Sequence, residues 1–293
     1  MNETIFALGF FDGVHIGHQA LLTECRRLAA EHCCATGAVT FSSHPDALVL
    51  GAAPVLINTP ADRERLLRRY VQQVVTLPFD RAMLDTPWED FLDMLRENYH
   101  AAGFVCGDDF HFGFHGSGNG RLMQDYCRSR GLPCAVVPEQ AVDGTRVSST
   151  YIRTLLEAGK MEEAVRFLGH PHILTGTVVH GHQLGRTLGI PTANLCYPAG
   201  LVEPRHGVYA ARVALDGVAH VAVTNIGLRP TVSGDSLNVE SWILDFDGDL
   251  YGQELTLEFL HFLRPERKFA SLEEMQQEIR KNARDACLMT PLG

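Results

Sequence analysis

The spacing of apolar residues changes near the middle of the chain, and this change limits the folds that the chain can adopt. Between residues 4 and 150, short apolar runs that suit strands alternate with segments whose apolar residues recur at helical spacing. From about residue 169 to residue 267, strand-like runs follow one another with turn residues between them. The first pattern predicts a mostly parallel, doubly wound α/β sheet, and the second predicts a small β-barrel or sandwich. We therefore expect two domains, residues 1–169 and 170–293, with the boundary at Leu168–His172.

Turn and capping residues refine the prediction for the second half. Asp216-Gly217 lies between two strand-like runs and predicts a tight hairpin, and Asp247-Gly248 predicts a second turn of the same kind. A helix is expected to close the chain, since Ser271 with Glu274 three residues later forms a capping box. One face of that helix is expected to carry its apolar residues, which are Leu272, Met275, Ile279 and Ala283.

Length and charge exclude several classes of protein. The 293 residues suffice for two hydrophobic cores. Asp and Glu total 35 against 25 Lys and Arg, and the net charge of −10 argues against non-specific binding to nucleic acid or anionic membranes. No apolar run approaches the roughly 20 residues that span a bilayer, no secretory signal is recognised, and the eight cysteines form no CxxC pair. We expect a cytoplasmic protein with small-molecule ligands; the sequence does not determine its oligomeric state.

The first candidate site is the segment Gly9–His18, which joins the first predicted strand to the first predicted helix. Gly13 and Gly17 allow the backbone to turn tightly and to approach a ligand closely. The free N–H groups at a helix N-terminus attract anions, and His15 and His18 could donate hydrogen bonds to phosphate oxygens. The alternatives are a pair of core histidines or part of a metal site, for which HxxH lacks a third ligand. We interpret the segment as a site for nucleotide phosphates.

The second candidate site is a glycine-rich stretch in the β-rich half, Gly176–Arg186, which is followed by Thr187–Leu195. The glycines allow the backbone to wrap around phosphates. Thr192 and Asn194 then present a hydroxyl and an amide on the same side of an extended segment, and these oxygens suit Mg²⁺ beside nucleotide phosphates. The alternative is an ordinary glycine-rich β-turn with an Asx-type cap.

Several segments of the first half resemble motifs of bacterial FAD synthetases, members of the HxGH nucleotidyltransferase superfamily. Gly9–His18 resembles GxFDGxHxGH, Gly107–Gly113 resembles G-x-[ND]-F-x-F-G, and Val147–Arg153 resembles ISSTxIR, while Thr40–Pro45 is a degraded form of TF-x-P-H-P with Ser43 in place of Pro. The resemblance implies a Rossmann-like domain that transfers an adenylyl group from ATP to FMN. The resemblance implies that the catalytic residues are His15, His18 and Arg153. The nucleotide-binding residues that it implies are Gly9, Phe11, Asp12, Gly13, Gly17, Ser148 and Ser149. The flavin-binding residues that it implies are Asp109, Phe110 and Phe112.

The segment Val147–Arg153 also has a physical interpretation of its own. Ser148 or Ser149 can cap a helix and offer donors to phosphate. Arg153 can pair with the β- and γ-phosphates, which leave as pyrophosphate. Without the preceding motif, a plain helix cap followed by a surface arginine would be the better interpretation.

The second half resembles riboflavin kinases. Gly185–Asn194 is similar to GR-x-LG-[FI]-PTAN, and Glu240–Phe246 is similar to E-x-x-x-LDF. This resemblance implies a six-stranded barrel with a C-terminal helix. It implies that Glu240 accepts the proton of the ribityl 5′-hydroxyl, although a glutamate on a strand more often faces solvent. It also assigns nucleotide binding to Gly181, Gly185 and Arg186, and the metal to Thr192 and Asn194.

The two resemblances together predict a bifunctional enzyme of flavin-cofactor synthesis. It would use ATP and Mg²⁺ to convert riboflavin to FMN, and a second ATP to convert FMN to FAD and pyrophosphate. Two alternatives remain open. One is an enzyme that retains a single activity, of which the kinase has the better support, and the other is a flavin-binding regulator without catalysis.

Overall fold

The structure is a computed structural model, and it describes residues 3–49, 51–52, 54–181, 189–231 and 234–291. The chain divides into two compact units. The first comprises Met1–Leu56 and Pro60–Ser149, and the second comprises Ile57–Thr59 and Thr150–Gly293. The domain boundary after residue 169 stays a prediction. None of the helices in the described ranges is both long enough and apolar enough to cross a membrane.

A five-stranded parallel sheet forms the centre of the first unit, as the alternating pattern predicts. Its order is β3-β2-β1-β4-β7, with every neighbouring pair parallel. All five residues of β1 are buried. The strands of this unit are β1 (Thr4–Leu8), β2 (Ala35–Phe41), β3 (Gln73–Leu77), β4 (Ala101–Gly107), β5 (His111–Phe112), β6 (Gly118–Asn119), β7 (Cys134–Val137), β8 (Ala141–Val142) and β9 (Thr145–Arg146).

Helices connect these strands, and α1 shows why they pack on the sheet. Its buried residues recur three and four positions apart, so one face of the helix is apolar. The helices of this unit are α1 (Ile16–Glu31), α2 (Pro45–Val49), α3 (Pro60–Leu67), α4 (Arg81–Asp85), α5 (Trp88–Tyr99) and α6 (Gly120–Arg130). The order of the strands reverses between β1 and β4, and ligands of such sheets bind beyond the carboxyl ends of the strands at this point.

A six-stranded antiparallel sheet forms the second unit, with the order β10-β15-β12-β13-β14-β11. Just beyond β10, the Val179 N–H donates to the Asn194 carbonyl on β11 at 2.8 Å, so the two edge strands approach each other and the sheet is nearly a closed barrel. The strands and helices are β10 (His172–Thr177), β11 (Ala193–Cys196), β12 (Gly207–Leu215), β13 (Val218–Thr231), β14 (Gly234–Ile243), β15 (Glu254–Pro265), α7 (Ser149–Glu157), α8 (Met161–Leu168) and α9 (Leu272–Met289).

The turns and the last helix confirm part of the sequence prediction. Asp216 and Gly217 have φ angles of 49° and 80° and join β12 to β13 as a tight hairpin. The second predicted hairpin, at Asp247-Gly248, is wrong. β14 ends at Ile243 and β15 begins at Glu254, so this dipeptide lies inside a longer connection.

Helix α9 begins at the predicted cap. The Glu274 N–H donates to Ser271 Oγ at 3.2 Å, and the Glu274 carboxylate accepts from the Ala270 N–H at 2.9 Å. Ala286 is fully buried in a cluster with apolar residues of β12 and β13. Leu272 was expected on the packed face, and this prediction is wrong, since the residue lies in the first turn and is 62% exposed.

A buried histidine at the start of β10 makes the stability of the second unit depend on pH. His172 is 1% exposed, and neither ring nitrogen has a hydrogen-bond partner among the described residues. Burial, together with the nearby His170, lowers the pKa of His172 from 6.5 to about 4. The unfolded chain therefore binds a proton more readily than the folded one between these values. The free energy of unfolding should fall by about 3 kcal/mol as the pH drops from 6.5 to 4.

His172→Leu should remove this component of the pH dependence, because leucine cannot take up a proton. Urea unfolding at pH 7 and pH 4 measures the change for each protein. The difference between the two pH values should be about 3 kcal/mol smaller in the variant than in the parent chain. An equal pH dependence in both proteins would contradict the assignment.

Candidate active sites

A cavity of about 240 Å³ opens at the carboxyl ends of β1 and β4, where the strand order reverses. We call it the histidine cavity. It is lined by the end of β1, the start of α1, the residues after β4 and the segment before α7. The predicted site residues among its lining are Gly9, His15, Gly17, His18, Asp109, Phe110, Ser148 and Ser149. The fold thus brings together three motifs that are far apart in the sequence.

The backbone between β1 and α1 adopts an unusual turn that shapes this cavity. Phe11 has a φ of 61° and Gly13 a φ of 81°, which is the left-handed region. For the phenylalanine this conformation is costly and persists only because the surroundings enforce it, and the residue is fully buried. Asp12 is buried as well, and its carbonyl accepts from Ser149 Oγ at 2.9 Å. These predicted nucleotide-binding residues form the turn and do not line the cavity.

The two histidines of this cavity act as a stacked pair. Their ring centroids lie 3.6 Å apart and the rings are nearly parallel. His15 caps α1, since its Nδ1 accepts from the His18 N–H at 3.3 Å. In a neutral ring, the proton of His15 is therefore on Nε2, which can donate to a ligand. Burial, then the charges of His15 and Arg63, hold the pKa of His18 well below 6.5, so that ring is neutral at pH 7.

Arg146 is a residue of the histidine cavity that the sequence analysis did not single out. Its Nη2 lies 2.8 Å from Asp109 Oδ2, and it also pairs with Glu139. Asp109, expected to bind flavin, lies in the wall of the histidine cavity and is held there by this arginine. Arg146 lies two residues before Ser148 of the predicted site, and this position in the sequence could have identified it as a site residue. Arg153 lies on α7, beyond the last residue of the first unit, and its role stays a prediction.

A second cavity of the first unit, of about 570 Å³, has six phenylalanines in its lining, and we call it the aromatic cavity. Its volume is in the range of sites for organic ligands. The predicted flavin-binding residues Phe110 and Phe112 line it as a stacked pair with centroids 5.6 Å apart. Phe10 and Phe110 line both this cavity and the histidine cavity, so the two share a wall. The other phenylalanine side chains of the lining are Phe41, Phe79 and Phe91.

The shared wall rests on a buried arginine of α3 that sequence patterns did not reveal. Arg63 is 2% exposed, its guanidinium lies 4.1 Å from the centre of the Phe10 ring, and its Nη2 donates to the Phe41 carbonyl at 2.6 Å. Burial lowers its pKa from 12.5 to about 10, and the charge of Asp12 opposes this shift. The side chain remains a cation at neutral pH and holds Phe10 and Phe41 in place.

In the second unit, a cavity of about 450 Å³ lies beside the glycine-rich segment, and we call it the asparagine cavity. Gly181, Thr192 and Asn194 line it, as do the residues 246–251 that follow β14. A Cβ atom at Gly181 would lie 2.6 Å from Asn194 Nδ2, so only glycine lets the backbone pass so close to this amide. The predicted nucleotide-binding residues Gly185 and Arg186 lie outside the described residues.

A further cavity of about 310 Å³ lies next to it, between strands of the barrel and α9, and we call it the glutamate cavity. Glu240 and Trp242 of β14 line it together with Arg264, while Met275 and Ile279 contribute from α9. Thr192 lines both this cavity and the asparagine cavity. Strand pairing sets Asn194 directly opposite Glu240. The predicted metal-binding and catalytic residues are thus neighbours although 46 positions separate them in the sequence.

The residues present fit Mg²⁺ as a ligand of the asparagine cavity. Thr192 Oγ1 and Asn194 Oδ1 are hard oxygen donors, which this cation prefers. Among the described residues, Asn194 Oδ1 accepts from Asn238 Nδ2 at 3.3 Å. Because a carbonyl oxygen has two lone pairs, the same atom can also bind a cation. Mg²⁺ usually keeps several waters and substrate phosphates among its ligands, so two protein oxygens leave the remaining coordination positions to water and nucleotide phosphates.

Each unit pairs a glycine-lined cavity suited to phosphate with a second cavity suited to an organic substrate, so fold and sites define a two-part nucleotide-dependent transferase. A family model described as FAD synthetase matches residues 1–151, and one described as riboflavin kinase matches residues 168–289. The chain belongs to the family of bifunctional riboflavin kinase/FMN adenylyltransferases. It carries both activities and produces FAD, with ATP and flavins as substrates.

Similar proteins support this assignment over nearly the whole chain. The bifunctional riboflavin kinase/FMN adenylyltransferase of Pseudomonas fluorescens is 36% identical over 94% of this chain and 89% of its own length. The corresponding enzyme of Listeria monocytogenes is 32% identical over 96% of this chain and 90% of its own. A crystal structure described as a macrolide-efflux protein from Streptococcus pneumoniae is 28% identical, covers 99% of this chain and 95% of its own, and has a TM-score of 0.86.

Proposed function

We propose that the four cavities divide the two reactions between the units. The observation that carries the proposal is that each phosphate-type cavity shares a wall with a cavity for an organic substrate: Phe10 and Phe110 in the first unit, Thr192 in the second. A shared wall sets two substrates side by side, which is what direct transfer of a group from one to the other requires.

In the first unit, ATP would occupy the histidine cavity and the flavin ring of FMN the aromatic cavity. The FMN phosphate attacks the α-phosphorus of ATP in line, a P–O bond forms, and the bond to pyrophosphate breaks. His15 Nε2, His18 and the N-terminus of α1 stabilise the charge on the α-phosphate. Ser148 and Ser149 hold the nucleotide, and Arg153 pairs with the leaving pyrophosphate. No covalent enzyme intermediate is needed.

In the second unit, ATP would occupy the asparagine cavity and riboflavin the glutamate cavity. Glu240 accepts the proton of the ribityl 5′-hydroxyl as that oxygen attacks the γ-phosphorus; a new P–O bond forms, the bond from the γ-phosphorus to the bridging oxygen of ADP breaks, and ADP leaves with that oxygen. Thr192 and Asn194 would hold Mg²⁺, which neutralises charge on the phosphates when bound. The acidic protein needs no basic surface for either reaction, because the donors to phosphate are local. We place both reactions in the cytoplasm, without nucleic-acid or membrane partners.

Leu48→Asp tests the aromatic cavity as the flavin site of adenylyl transfer. Leu48 lines this cavity and is 41% exposed, so a carboxylate there should disturb the bound flavin without unfolding the domain. The KM for FMN in FAD formation should rise about tenfold, because apolar contact is lost and the charges of carboxylate and FMN phosphate repel each other. FMN formation from riboflavin should be unchanged.

Val55→Asp is the matched control, since Val55 is 43% exposed and is absent from the linings of the cavities described above. The KM of this variant for FMN and its rate of FMN formation from riboflavin should both equal those of the parent. An unchanged KM for FMN in Leu48→Asp would place the flavin elsewhere.

A further inference from the structure

A buried asparagine on β14 connects the two groups to which riboflavin phosphorylation is assigned. Asn238 is 9% exposed and lies two residues before Glu240, so both side chains are on the same face of the strand. Its Nδ2 donates to Glu240 Oε1 at 2.9 Å and to Asn194 Oδ1 at 3.3 Å. One amide group therefore contacts both the carboxylate and the neighbouring amide.

Hydrogen-bond chemistry fixes the orientation of this network. An ionised carboxylate only accepts hydrogen bonds, so Asn238 must turn its NH₂ group toward Glu240. The same NH₂ group then faces Asn194, which must present its oxygen in return. Asn194 Nδ2 consequently points to Thr192, and lies 3.3 Å from the Thr192 carbonyl. Reversing any one amide would set two donors or two acceptors against each other.

We propose that Asn238 is a positioning residue for the phosphorylation of riboflavin. It holds Glu240 by one oxygen, which leaves the other oxygen to accept the substrate proton, and it sets the direction in which Asn194 presents its amide to the phosphates and cation. This inference rests on the proposed roles of Glu240 and Asn194. Asn238 lines neither cavity, so we assign its effect to the two side chains that it contacts.

Two substitutions separate a positioning role from a packing role. Asn238→Asp keeps the shape of the side chain but replaces its NH₂ group with an oxygen. That oxygen would face Glu240 Oε1 and Asn194 Oδ1, which are both hydrogen-bond acceptors. Asn238→Ala removes both hydrogen bonds and some volume. A role in positioning predicts that both variants have a lower kcat for FMN formation, by about tenfold to a hundredfold. Losing a hydrogen bond to a charged group usually has an effect of this size. A role in packing alone predicts that Asp behaves as the parent and that only Ala has an effect.

The measurements use the full chain, so that FMN-to-FAD conversion in the first unit serves as an internal control. For each variant, quenching of flavin fluorescence measures the affinity for riboflavin in the absence of ATP. Thermal unfolding measures whether the variant is folded as stably as the parent. We expect unchanged riboflavin affinity, unchanged FAD formation from added FMN and a lowered kcat. Glu240→Gln is the comparison that tests the assignment on which the inference depends.

Every outcome bears on the proposal. A lowered kcat with unchanged affinity in both Asn238 variants supports it. Normal kinetics in Asn238→Asp overturn it, as does a loss of riboflavin affinity that matches the loss of kcat. If Glu240→Gln forms FMN at the normal rate, the assignment of the base is wrong; if that variant is inactive while Asn238→Asp is normal, only the role of Asn238 fails.

Discussion

Glu240→Gln is expected to lower the rate of FMN formation from riboflavin by about a hundredfold or more and to leave the conversion of FMN to FAD intact. Glutamine has nearly the volume of glutamate, and its amide oxygen can still accept the hydrogen bond from Asn238 Nδ2, which lies 2.9 Å from Glu240 Oε1. The amide cannot accept a proton from the ribityl hydroxyl. General bases contribute about 10²- to 10⁴-fold, so the kcat of the kinase reaction should fall by that factor.

Chromatography of riboflavin, FMN and FAD over time measures both reactions in one sample. With riboflavin as substrate, the variant should form FMN about 10²- to 10⁴-fold more slowly than the parent; with added FMN, it should form FAD at the rate of the parent. Loss of both activities in a folded protein would contradict the division of labour between the units. FMN that accumulates without FAD in the parent chain would show that adenylyl transfer is not retained.

Local sequence patterns predicted the elements of both units because each strand and helix has its own apolar spacing. β2 and β12, for example, each form within a short run of mostly apolar residues, Ala35–Phe41 and Gly207–Leu215. The prediction failed where tertiary contacts decide. Asp247-Gly248 resembles a hairpin turn, but the chain instead continues along the asparagine cavity before β15 begins. Leu272 likewise has the apolar spacing of the packed face, yet as the first residue of α9 it is 62% exposed.

In the candidate sites, too, sequence motifs identify individual residues, whereas the contacts between them depend on the assembled fold. Motifs identified His15, His18, Asn194 and Glu240, but only the pairing of β11 with β14 shows that the last two are neighbours. Arg63 belongs to no motif of the sequence analysis, and a charged residue in a helix is usually exposed, so its burial could not be expected. Such residues become visible only when the segments that surround them are assembled.

His18→Phe should lower the rate of FAD formation from FMN by about 10²- to 10³-fold and leave the kinase reaction unchanged. Phenylalanine keeps a flat ring to stack on His15, whose centroid lies 3.6 Å away in the parent, but it removes both ring nitrogens. The loss of one donor to developing negative charge usually has an effect of this size. His18→Ala is the companion variant, because it removes the ring as well as the nitrogens.

The dependence of this effect on pH tests which form of His18 is active. Burial and the charges of His15 and Arg63 keep the pKa of His18 well below 6.5, so the free enzyme holds this ring neutral throughout the range from pH 6.5 to 8.5. The ratio of kcat/KM for ATP between parent and His18→Phe should therefore be constant across that range, since kcat/KM reports ionisations of the free enzyme. If the charged ring were the active form, the advantage of the parent would decline tenfold for each pH unit above its pKa. A declining ratio would show that His18 acts as a cation, and that the buried pair takes up a proton before ATP binds.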